Sequence, residues 1–164
     1  MGLRRTEIQD GLLACVPAKM RLQMSSPGGI RILDDSYNAN ADSMLAALQT
    51  LRELPCAGRR VAVLGDMAEQ GECSRAAHFE VGRRAAASRL DQLFAIGRRG
   101  CEIAAAARAR GFKSIVEIDE VDRAAQAVKE FARPGDVVLV KASRSMRLER
   151  ITELLGASCG NGHP

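Results

Sequence analysis

The sequence predicts a three-layer α/β fold, in which helices cover both faces of a mostly parallel β-sheet. Short apolar runs alternate five times with longer, alanine-rich stretches of helical periodicity from about residue 30 onward, and such alternation is typical of parallel strands joined by helices. Glycine and proline mark the boundaries between the two kinds of segment. With 164 residues, 46% of them hydrophobic, the chain is large enough for one domain with a substantial core.

The apolar runs have the length and the β-branched content of buried strands. They cover residues 30–33, 60–64, 92–96, 114–116 and 136–140. The helical patterns cover residues 42–53, 74–88, 101–110, 121–131 and 145–155. Turn signals support these boundaries, because Pro55 and Gly58 precede the second strand, Gly111 follows the third helix, and Pro134 with Gly135 precedes the last strand.

The segment before the first parallel strand indicates a hairpin. Residues 21–24 and 30–33 flank Ser-Ser-Pro-Gly-Gly at 25–29, a composition typical of a tight turn. We therefore expect a Rossmann-like αβα fold, with a mostly parallel sheet of about six strands and one antiparallel edge strand. Residues 3–16 are predicted to form a short amphipathic helix, and the residues after Gly156 lack periodicity, as in a frayed tail.

Composition argues against several classes of protein. The longest apolar runs are far shorter than the roughly 20 residues that cross a bilayer, and the N-terminus lacks the apolar stretch of a secretory signal, so we expect no membrane span and a cytoplasmic location. The five cysteines include no Cys-x-x-Cys pair, which gives no support for a disulfide framework or a zinc site. The arginines behind the net charge of +4 are dispersed, and aromatic residues are few, so we expect no nucleic-acid partner.

Polar side chains follow most of the predicted strands, at the point where each strand ends. The carboxyl ends of parallel strands meet at one edge of a sheet, where open α/β folds bind their ligands. Carboxylates, amides, hydroxyls and cations together suit a ligand that carries phosphate and amine groups. The residues that follow these strands, most of them polar, are Asp34, Asp35, Ser36, Tyr37, Asn38, Asn40, Gly65, Asp66, Met67, Glu69, Gly97, Arg98, Lys141, Ser143 and Arg144.

Several of these residues also have a structural interpretation, and the sequence leaves both open. The acidic pair at 34–35 can form a solvated turn, and Asp42 is a candidate N-cap of the following helix. Tyr37 can pack at the sheet edge with its hydroxyl hydrogen-bonded. Ser143 or Ser145 can cap the last helix, although its N-terminus also favours an anion.

The chain contains neither a Gly-x-x-x-x-Gly-Lys-Ser/Thr P-loop nor a Gly-x-Gly-x-x-Gly fingerprint. A polar site edge without a phosphate-binding loop indicates that another domain completes the active site. His78, in the second predicted helix, is interpreted as a packed or surface residue rather than a catalytic base, because no matching nucleophile is evident. We therefore expect no catalytic residue and no metal ligand in this chain.

Four blocks of sequence lie in order along the chain. They are residues 21–23 (RLQ), residues 33–40 with 42–44, residues 64–69 with Gly71 and His78, and residues 138–150 (VLVKASRSMRLER). Together they resemble the C-terminal domain of Mur ligases, and within that family the members that add D-alanyl-D-alanine. The resemblance implies this domain over residues 18–156, a remnant of the central ATPase domain and a linker over 1–17, and a flexible tail over 157–164.

The resemblance also implies a reaction. In the family, ATP phosphorylates the carboxylate of a UDP-N-acetylmuramoyl tripeptide, and the amine of D-alanyl-D-alanine attacks the acyl phosphate to give a precursor of peptidoglycan. An N-terminal domain holds the UDP-sugar substrate, and a central domain holds most of the ATP and Mg²⁺. This domain alone would therefore be inactive, and its partners would be the two other domains and their substrates.

By the same resemblance, the site residues form two groups. The residues expected to bind ATP are Arg21, Asp35, Tyr37, Asn38 and Asn40. The residues expected to bind the dipeptide substrate are Lys141, Ser143 and Arg144, with Asp66 and Glu69 on the same rim. The chain departs from the family pattern at Met20, Ala41, Gln70 and Ala142. The last departure matters most, because a Cβ there restricts a loop that has to approach a ligand closely.

A phospho-receiver module is the alternative from another class of protein, because it too has an acidic pair after its first strand and a lysine after its last. Its phosphorylated aspartate ends the third strand, whereas here that strand ends Ala-Ile-Gly at residues 95–97. A dinucleotide-binding oxidoreductase domain is disfavoured by the missing glycine fingerprint.

Overall fold

A six-stranded sheet forms the centre of the computed structural model, which describes residues 4–7, 19–68 and 70–157. The strands are β1 (Gln23–Ser25), β2 (Arg31–Asp34), β3 (Arg60–Leu64), β4 (Gln92–Ile96), β5 (Ile115–Ile118) and β6 (Val137–Lys141). Their order across the sheet is β1-β2-β6-β3-β4-β5. β1 pairs antiparallel with β2, and the other neighbours pair in parallel. The prediction of a mostly parallel sheet with one antiparallel edge strand is confirmed.

Helices cover both faces of this sheet. They are α1 (Ala41–Glu53), α2 (Ser74–Ala86), α3 (Gly100–Ala109), α4 (Val121–Phe131) and α5 (Glu149–Ala157). α1, α2 and α3 enclose one core, which includes Leu64 and Leu139, whereas α4 and α5 enclose a second core with Val63 and Val140. Successive residues of a strand thus enter opposite cores, as the two-residue repeat of a strand requires. The predicted three-layer arrangement is confirmed.

The position of β6 determines where the sheet opens toward a ligand. β6 is the last strand in the sequence, yet it lies between β2 and β3, with Val138 opposite both Ile32 and Val61. The connections after β2 and β3 lead to the face of α1 and α2, whereas the connection after β6 leads to α5 on the other face. Neighbouring strands whose connections diverge leave a crevice at their carboxyl ends.

Some observed boundaries differ from the predicted ones. β1 begins at Gln23 rather than at residue 21, because Leu22 has a left-handed φ of 46°. β5 covers Ile115–Ile118 rather than 114–116, in register with the last residues of β4. The last helix begins at Glu149 rather than at residue 145, because a 3₁₀ turn over Arg144–Met146 ends at Arg147, whose φ of 55° interrupts a helix.

The predicted terminal segments fall mostly outside the described residues. Of the helix predicted over 3–16, residues 4–7 are described, and residues 5–7 are helical. Of the tail predicted over 157–164, only residue 157 is described. Among the parts of the chain that the structure describes, no helix combines the length and the apolar character needed to cross a membrane.

An ion pair joins β3, β6 and the end of α4 at the amino-terminal edge of the sheet. The Arg59 guanidinium donates to both carboxylate oxygens of Asp136, at 3.3 and 2.7 Å, and it lies 3.9 Å from the centre of the Phe131 ring. Backbone N–H groups of Arg59 and Arg133 donate to the same carboxylate. Burial raises the pKa of Asp136, but these hydrogen bonds outweigh it and hold the pKa below its usual value.

Candidate functional site

A cleft of about 340 Å³ opens at the carboxyl ends of β2 and β6, where the connections of the two strands diverge. Every residue that the sequence predicts to bind ATP lines this cleft, and Lys141 lines it as well. The lining residues are Arg21, Leu22, Asp35, Tyr37, Asn38, Ala39, Asn40, Ser43, Ala46, Ala47 and Lys141. We refer to it below as the first cleft.

Lys141 is the buried centre of the first cleft. It is the last residue of β6 and shares the strand face of Leu139, which points it toward α1. Its ammonium, 1% exposed as a residue, donates to Asp35 Oδ2 at 2.6 Å and to the Asn38 carbonyl at 2.8 Å. A buried ammonium requires partners of this kind. The structure thus places Lys141 with the predicted nucleotide residues, and not beside Ser143 and Arg144.

The two aspartates after β2 make different contacts. Asp34 accepts hydrogen bonds from the N–H and hydroxyl of Ser36, at 3.0 and 2.6 Å, and from the Thr152 hydroxyl at 3.2 Å. Asp35 instead faces the first cleft, where it pairs with Lys141 and accepts a hydrogen bond from the Leu22 N–H at 3.1 Å. The turn interpretation therefore holds for Asp34, whereas Asp35 is available to the cleft.

Arg21 and Tyr37 form the open side of the first cleft. The guanidinium lies 4.5 Å from the centre of the tyrosine ring, a cation–π distance. Tyr37 is 43% exposed as a residue, and its N–H donates to the Met20 carbonyl at 3.1 Å. Among the described residues, no carboxylate pairs with the Arg21 guanidinium. The cleft therefore presents a guanidinium that is stacked on a partly exposed tyrosine and has no carboxylate partner among the described residues.

Asn40 begins α1 as its N-cap. Its side-chain oxygen accepts a hydrogen bond from the Ser43 N–H at 2.8 Å, and the Ser43 hydroxyl accepts one from the Asn40 N–H at 3.1 Å. This reciprocal pair is a capping box. The interpretation of Asp42 as the cap is wrong, because Asn40 has the extended backbone that an N-cap requires and Asp42 lies inside the first turn. Asn40 thus lines the cleft while its oxygen holds the helix.

A second cleft, of about 490 Å³, lies at the carboxyl ends of β3 and β4 and is lined by Asp66, Arg98, Arg99 and Glu102. The Asp66 carboxylate accepts a hydrogen bond from the Arg99 N–H, and the Asp66 carbonyl accepts one from the Ser143 N–H, both at 2.9 Å. Asp66 thereby connects the loops that follow β3, β4 and β6. Arg98 is among the residues that follow the predicted strands, but the family resemblance gives it no role.

The remaining predicted substrate residues lie between the clefts or outside the described residues. Ser143 is buried and its hydroxyl accepts a hydrogen bond from the Ala68 N–H at 2.6 Å, so it holds a loop and does not cap a helix. Arg144 is half-exposed and pairs with Glu149 at 2.9 Å. Glu69 is outside the described residues. The group predicted around the dipeptide is therefore dispersed along the sheet edge.

His78 supports the second cleft from beneath. It is fully buried, its Nε2 accepts a hydrogen bond from the Met67 N–H at 2.9 Å, and its Nδ1 lies 2.6 Å from the Ser74 carbonyl. This network assigns the proton to Nδ1, which donates to the carbonyl. The interpretation of His78 as a packed residue is confirmed. No group of three His, Cys, Asp or Glu side chains suitable for a metal ion occurs within the described residues.

Comparison with known proteins assigns the domain to a family. The family described as "Mur ligase, glutamate ligase domain" matches residues 20–144, which is most of the chain. The chain therefore belongs to the Mur ligase family, as the resemblance of its sequence blocks implied.

The relatives reported next share one enzyme name within the family. The chain is 36% identical over 154 residues to the UDP-N-acetylmuramoyl-tripeptide–D-alanyl-D-alanine ligase of Bacillus subtilis, covering 93% of this chain and 34% of that enzyme. It is 39% identical over 124 residues to the ligase of the same name from Escherichia coli, covering 76% and 26%. The chain thus spans about a third or less of the length of these relatives.

Solved structures agree with this comparison. A crystal structure of MurF from Acinetobacter baumannii has a TM-score of 0.83 and 28% identity, covering 94% of this chain and 34% of that one. The MurF ligase from Thermotoga maritima, solved in complex with ADP, has a TM-score of 0.75 and 28% identity, covering 89% and 32%.

Proposed function

We propose that the chain is the C-terminal domain of a ligase that uses ATP to join D-alanyl-D-alanine to a UDP-N-acetylmuramoyl tripeptide, in the synthesis of peptidoglycan precursors. The relatives are named for this activity, and the chain corresponds to about a third of their length. This share supports the proposal that the chain is one domain of such an enzyme. In this proposal, residues 18–156 form the domain, its partners are the other two domains of the enzyme, and its location is the cytoplasm.

The convergence of Arg21, Asp35 and Lys141 on one cleft carries the proposal. Arg21 offers a guanidinium to a phosphate oxygen, and the Asp35 carboxylate can accept a hydrogen bond from a ribose hydroxyl. Lys141 balances the charge of Asp35 from within the protein and leaves Arg21 as the accessible cation. When bound, ATP supplies the activated phosphoryl group that makes amide formation favourable. In this proposal Mg²⁺ is held by the central domain.

The contribution of this domain is positioning. Formation of an amide from an activated carboxylate and an amine depends on alignment of the reacting groups and on stabilisation of developing charge. Arg21 and Asp35 orient the nucleotide, and the residues at the carboxyl ends of β3, β4 and β6 lie on the same edge of the sheet. The chain has no phosphate-binding loop, so we expect the isolated domain to bind nucleotide weakly and to hydrolyse none.

A titration of the isotope-labelled chain with ADP, followed by NMR, tests this proposal. We expect amide shifts at residues 21–22 and 35–40 at millimolar nucleotide, and much smaller shifts for Arg21→Ala. Arg52→Ala, an exposed arginine at the far end of α1, is the matched control and should leave the titration unchanged. Shifts confined to another surface, equal binding by both variants, or hydrolysis of ATP by the chain alone would refute the assignment.

The order of the strands argues against the phospho-receiver alternative. Numbered among themselves, the parallel strands here follow the order 1-5-2-3-4, whereas receiver modules have the order 2-1-3-4-5. β4 also ends without a carboxylate, at Ile96 and Gly97. Incubation with acetyl phosphate followed by mass spectrometry should therefore give no stable covalent phosphate, and a stable adduct would restore that alternative.

A further inference from the structure

The amino-terminal edge of the sheet is strongly basic. The five turns that precede the parallel strands lie at this edge, and they contain twelve lysines and arginines against four aspartates and glutamates. Their net charge is therefore +8, whereas the net charge of the whole chain is +4. Positive charge is thus concentrated at the edge opposite to the first and second clefts. The turns cover residues 26–31, 51–60, 83–92, 108–114 and 129–136.

Part of this charge has a structural role. Arg59 pairs with the buried Asp136. The Arg60 guanidinium donates to two carbonyls at the end of α1, and the Arg133 guanidinium donates to two carbonyls at the end of α4. The last carbonyls of a helix lack partners within the helix, and cations there also complement its dipole. The fold itself therefore accounts for these three arginines.

The turns before β4 and β5 contain cations without such a role. Arg89, Arg110 and Lys113 are exposed, and their side chains make neither an ion pair nor a hydrogen bond with the described part of the chain. Arg89 and Lys113 lie three and four residues beyond the ends of α2 and α3, where the helix dipole has little effect. Arg89 also has a left-handed φ of 54°, a conformation that favours glycine. The backbone of this turn therefore gives no reason for an arginine.

Close packing of α2 on α3 brings further cations beside these residues. A Cβ at Gly82 would lie 2.8 Å from the Ala106 Cβ and would clash with the Ile103 carbonyl, so glycine permits the close approach of the two helices. Beyond their contact, the helix ends leave a depression of about 410 Å³, which is large enough for a small polar group. The residues that line it are Glu80, Arg83, Arg84, Ala86, Ala87 and Arg110.

Most of the cations around this depression are not neutralised. Glu80 pairs with Arg83 at 3.5 Å, and Glu117 pairs with Arg108 at 2.6 Å. The Arg84 guanidinium instead donates to an uncharged glutamine. Four of the six cations therefore have no carboxylate partner among the described residues. We refer to the six as the basic patch, which consists of Arg83, Arg84, Arg89, Arg108, Arg110 and Lys113.

The chemistry of the basic patch indicates the class of partner. Protein interfaces are centred on apolar or aromatic anchors, and proteins that bind single-stranded nucleic acid stack its bases on aromatic rings. The aromatic residue in these turns, Phe112, packs against the core instead. A membrane of anionic lipids attracts clusters of arginine and lysine by charge alone. The large hydrophobic side chains that are exposed in the described residues lie outside these turns and are Leu22, Met24, Tyr37 and Val116.

We propose that the basic patch binds the surface of an anionic lipid membrane, with a headgroup phosphate in the depression between Arg84 and Arg110. Guanidinium groups suit phosphate oxygens because they donate several hydrogen bonds in one plane. The inference is independent of the proposed function and adds a docking surface to it. Because the patch and the clefts lie at opposite edges of the sheet, a domain bound in this way keeps its clefts open to dissolved ligands.

Sedimentation of the chain with lipid vesicles tests this proposal. We expect binding to vesicles of phosphatidylglycerol and phosphatidylcholine in equal parts, and none to vesicles of phosphatidylcholine alone. Raising the salt from about 0.1 M to about 1 M shortens the screening length from about 10 to about 3 Å and should release the chain. Each cation near an anionic membrane contributes about fivefold to binding, so Arg89→Gly combined with Lys113→Gln should weaken it about 25-fold. Glycine suits the left-handed backbone at position 89, so this variant should fold, which circular dichroism checks.

The matched control removes the same charge from the other side of the domain. Arg75→Gln combined with Arg123→Gln changes exposed arginines in the first turns of α2 and α4 and should leave vesicle binding within about twofold, because these residues lie toward the carboxyl edge. An equal loss in the two double variants would show that only net charge matters and would overturn the patch. Binding to neutral vesicles, or no binding to anionic ones, would do the same. Displacement of the vesicles by a short RNA would instead assign the patch to nucleic acid, and release by millimolar glycerol phosphate would reduce it to a site for a free phosphate.

Discussion

Replacement of Lys141 by methionine tests whether the centre of the first cleft is held by charge. The ammonium donates to Asp35 Oδ2 at 2.6 Å and to the Asn38 carbonyl at 2.8 Å. Methionine fills a similar volume with an apolar chain, so the change removes both hydrogen bonds with little loss of packing. The carboxylate of Asp35 and the carbonyl of Asn38 then remain in place without their partner.

The expected cost follows from burial. Removing one partner of a buried ion pair costs about 3–5 kcal/mol. The Asp35 side chain is 14% exposed, so water reaches it in part, and we expect the lower end, about 3 kcal/mol. Asp35→Asn removes the charge that Lys141 compensates. The double variant should therefore cost less than the sum of the two single variants, with a coupling energy of about 2 kcal/mol.

Urea unfolding of the wild type, the two single variants and the double variant, followed by circular dichroism, measures these free energies of unfolding. Lys129→Met, at an exposed position of α4, is the control and should change the free energy by less than about 0.5 kcal/mol. Two results would refute the reasoning: costs at 141 and 35 that add within about 0.5 kcal/mol, or a Lys141→Met variant as stable as the control.

Three further predictions concern the scaffold. Asp136→Asn should cost about 2–3 kcal/mol in urea unfolding because an amide cannot accept every hydrogen bond of the carboxylate, whereas Asp91→Asn, exposed at the same edge, should cost about 1 kcal/mol or less. Because the pKa of Asp136 is lowered in the folded state, its ionised carboxylate stabilises the fold above the ordinary pKa of about 3.9, and this stabilisation is lost as the pH falls through the lowered pKa. Asp136→Asn should therefore lose less stability than the wild type below about pH 4; equal acid sensitivity contradicts this. Asn40→Ala should cost about 1 kcal/mol by removing the cap, measured as a lower Tm, and an unchanged Tm would be inconsistent with the capping box. Gly97→Ala should destabilise more than Gly111→Ala, because both have a left-handed φ but only the first meets neighbouring atoms; equal urea midpoints would exclude the steric argument.

The strands and helices could be predicted because the spacing of apolar residues in the sequence indicates which positions are buried. Each strand buried on both faces contains a continuous apolar run, as at residues 61–64 and 137–140, and each helix repeats its apolar residues on one side. The order of the strands could not be predicted in the same way, because periodicity reports which residues are buried and not which strand lies next to which. The start of the last helix could not be predicted, because Arg147 adopts a left-handed φ without a glycine or asparagine to mark it.

The candidate site could be predicted in part. The polar residues that follow each strand do meet at one edge, because the carboxyl ends of parallel strands coincide. The position of Lys141 could have been inferred from strand alternation, since it has the parity of Val137 and Leu139, which face α1. The nearness of Lys141 to Ser143 and Arg144 in the sequence gives no indication of which face of the strand it occupies. The pairing of Asp35 with a residue so distant in the sequence is a tertiary contact, which local patterns do not contain.

The central place of β6 has a consequence for how the domain reaches its folded state. The β1–β2 hairpin attaches to the rest of the sheet through β6, which follows it by about a hundred residues in the sequence. During synthesis, the edge of β2 that pairs with β6 stays unpaired until nearly the whole domain has left the ribosome. An isolated hairpin is only marginally stable in water. Slow, non-local pairing of this kind prolongs the exposure of apolar strand edges. Nascent chains arrested before residue 137 should therefore be the species most dependent on chaperones.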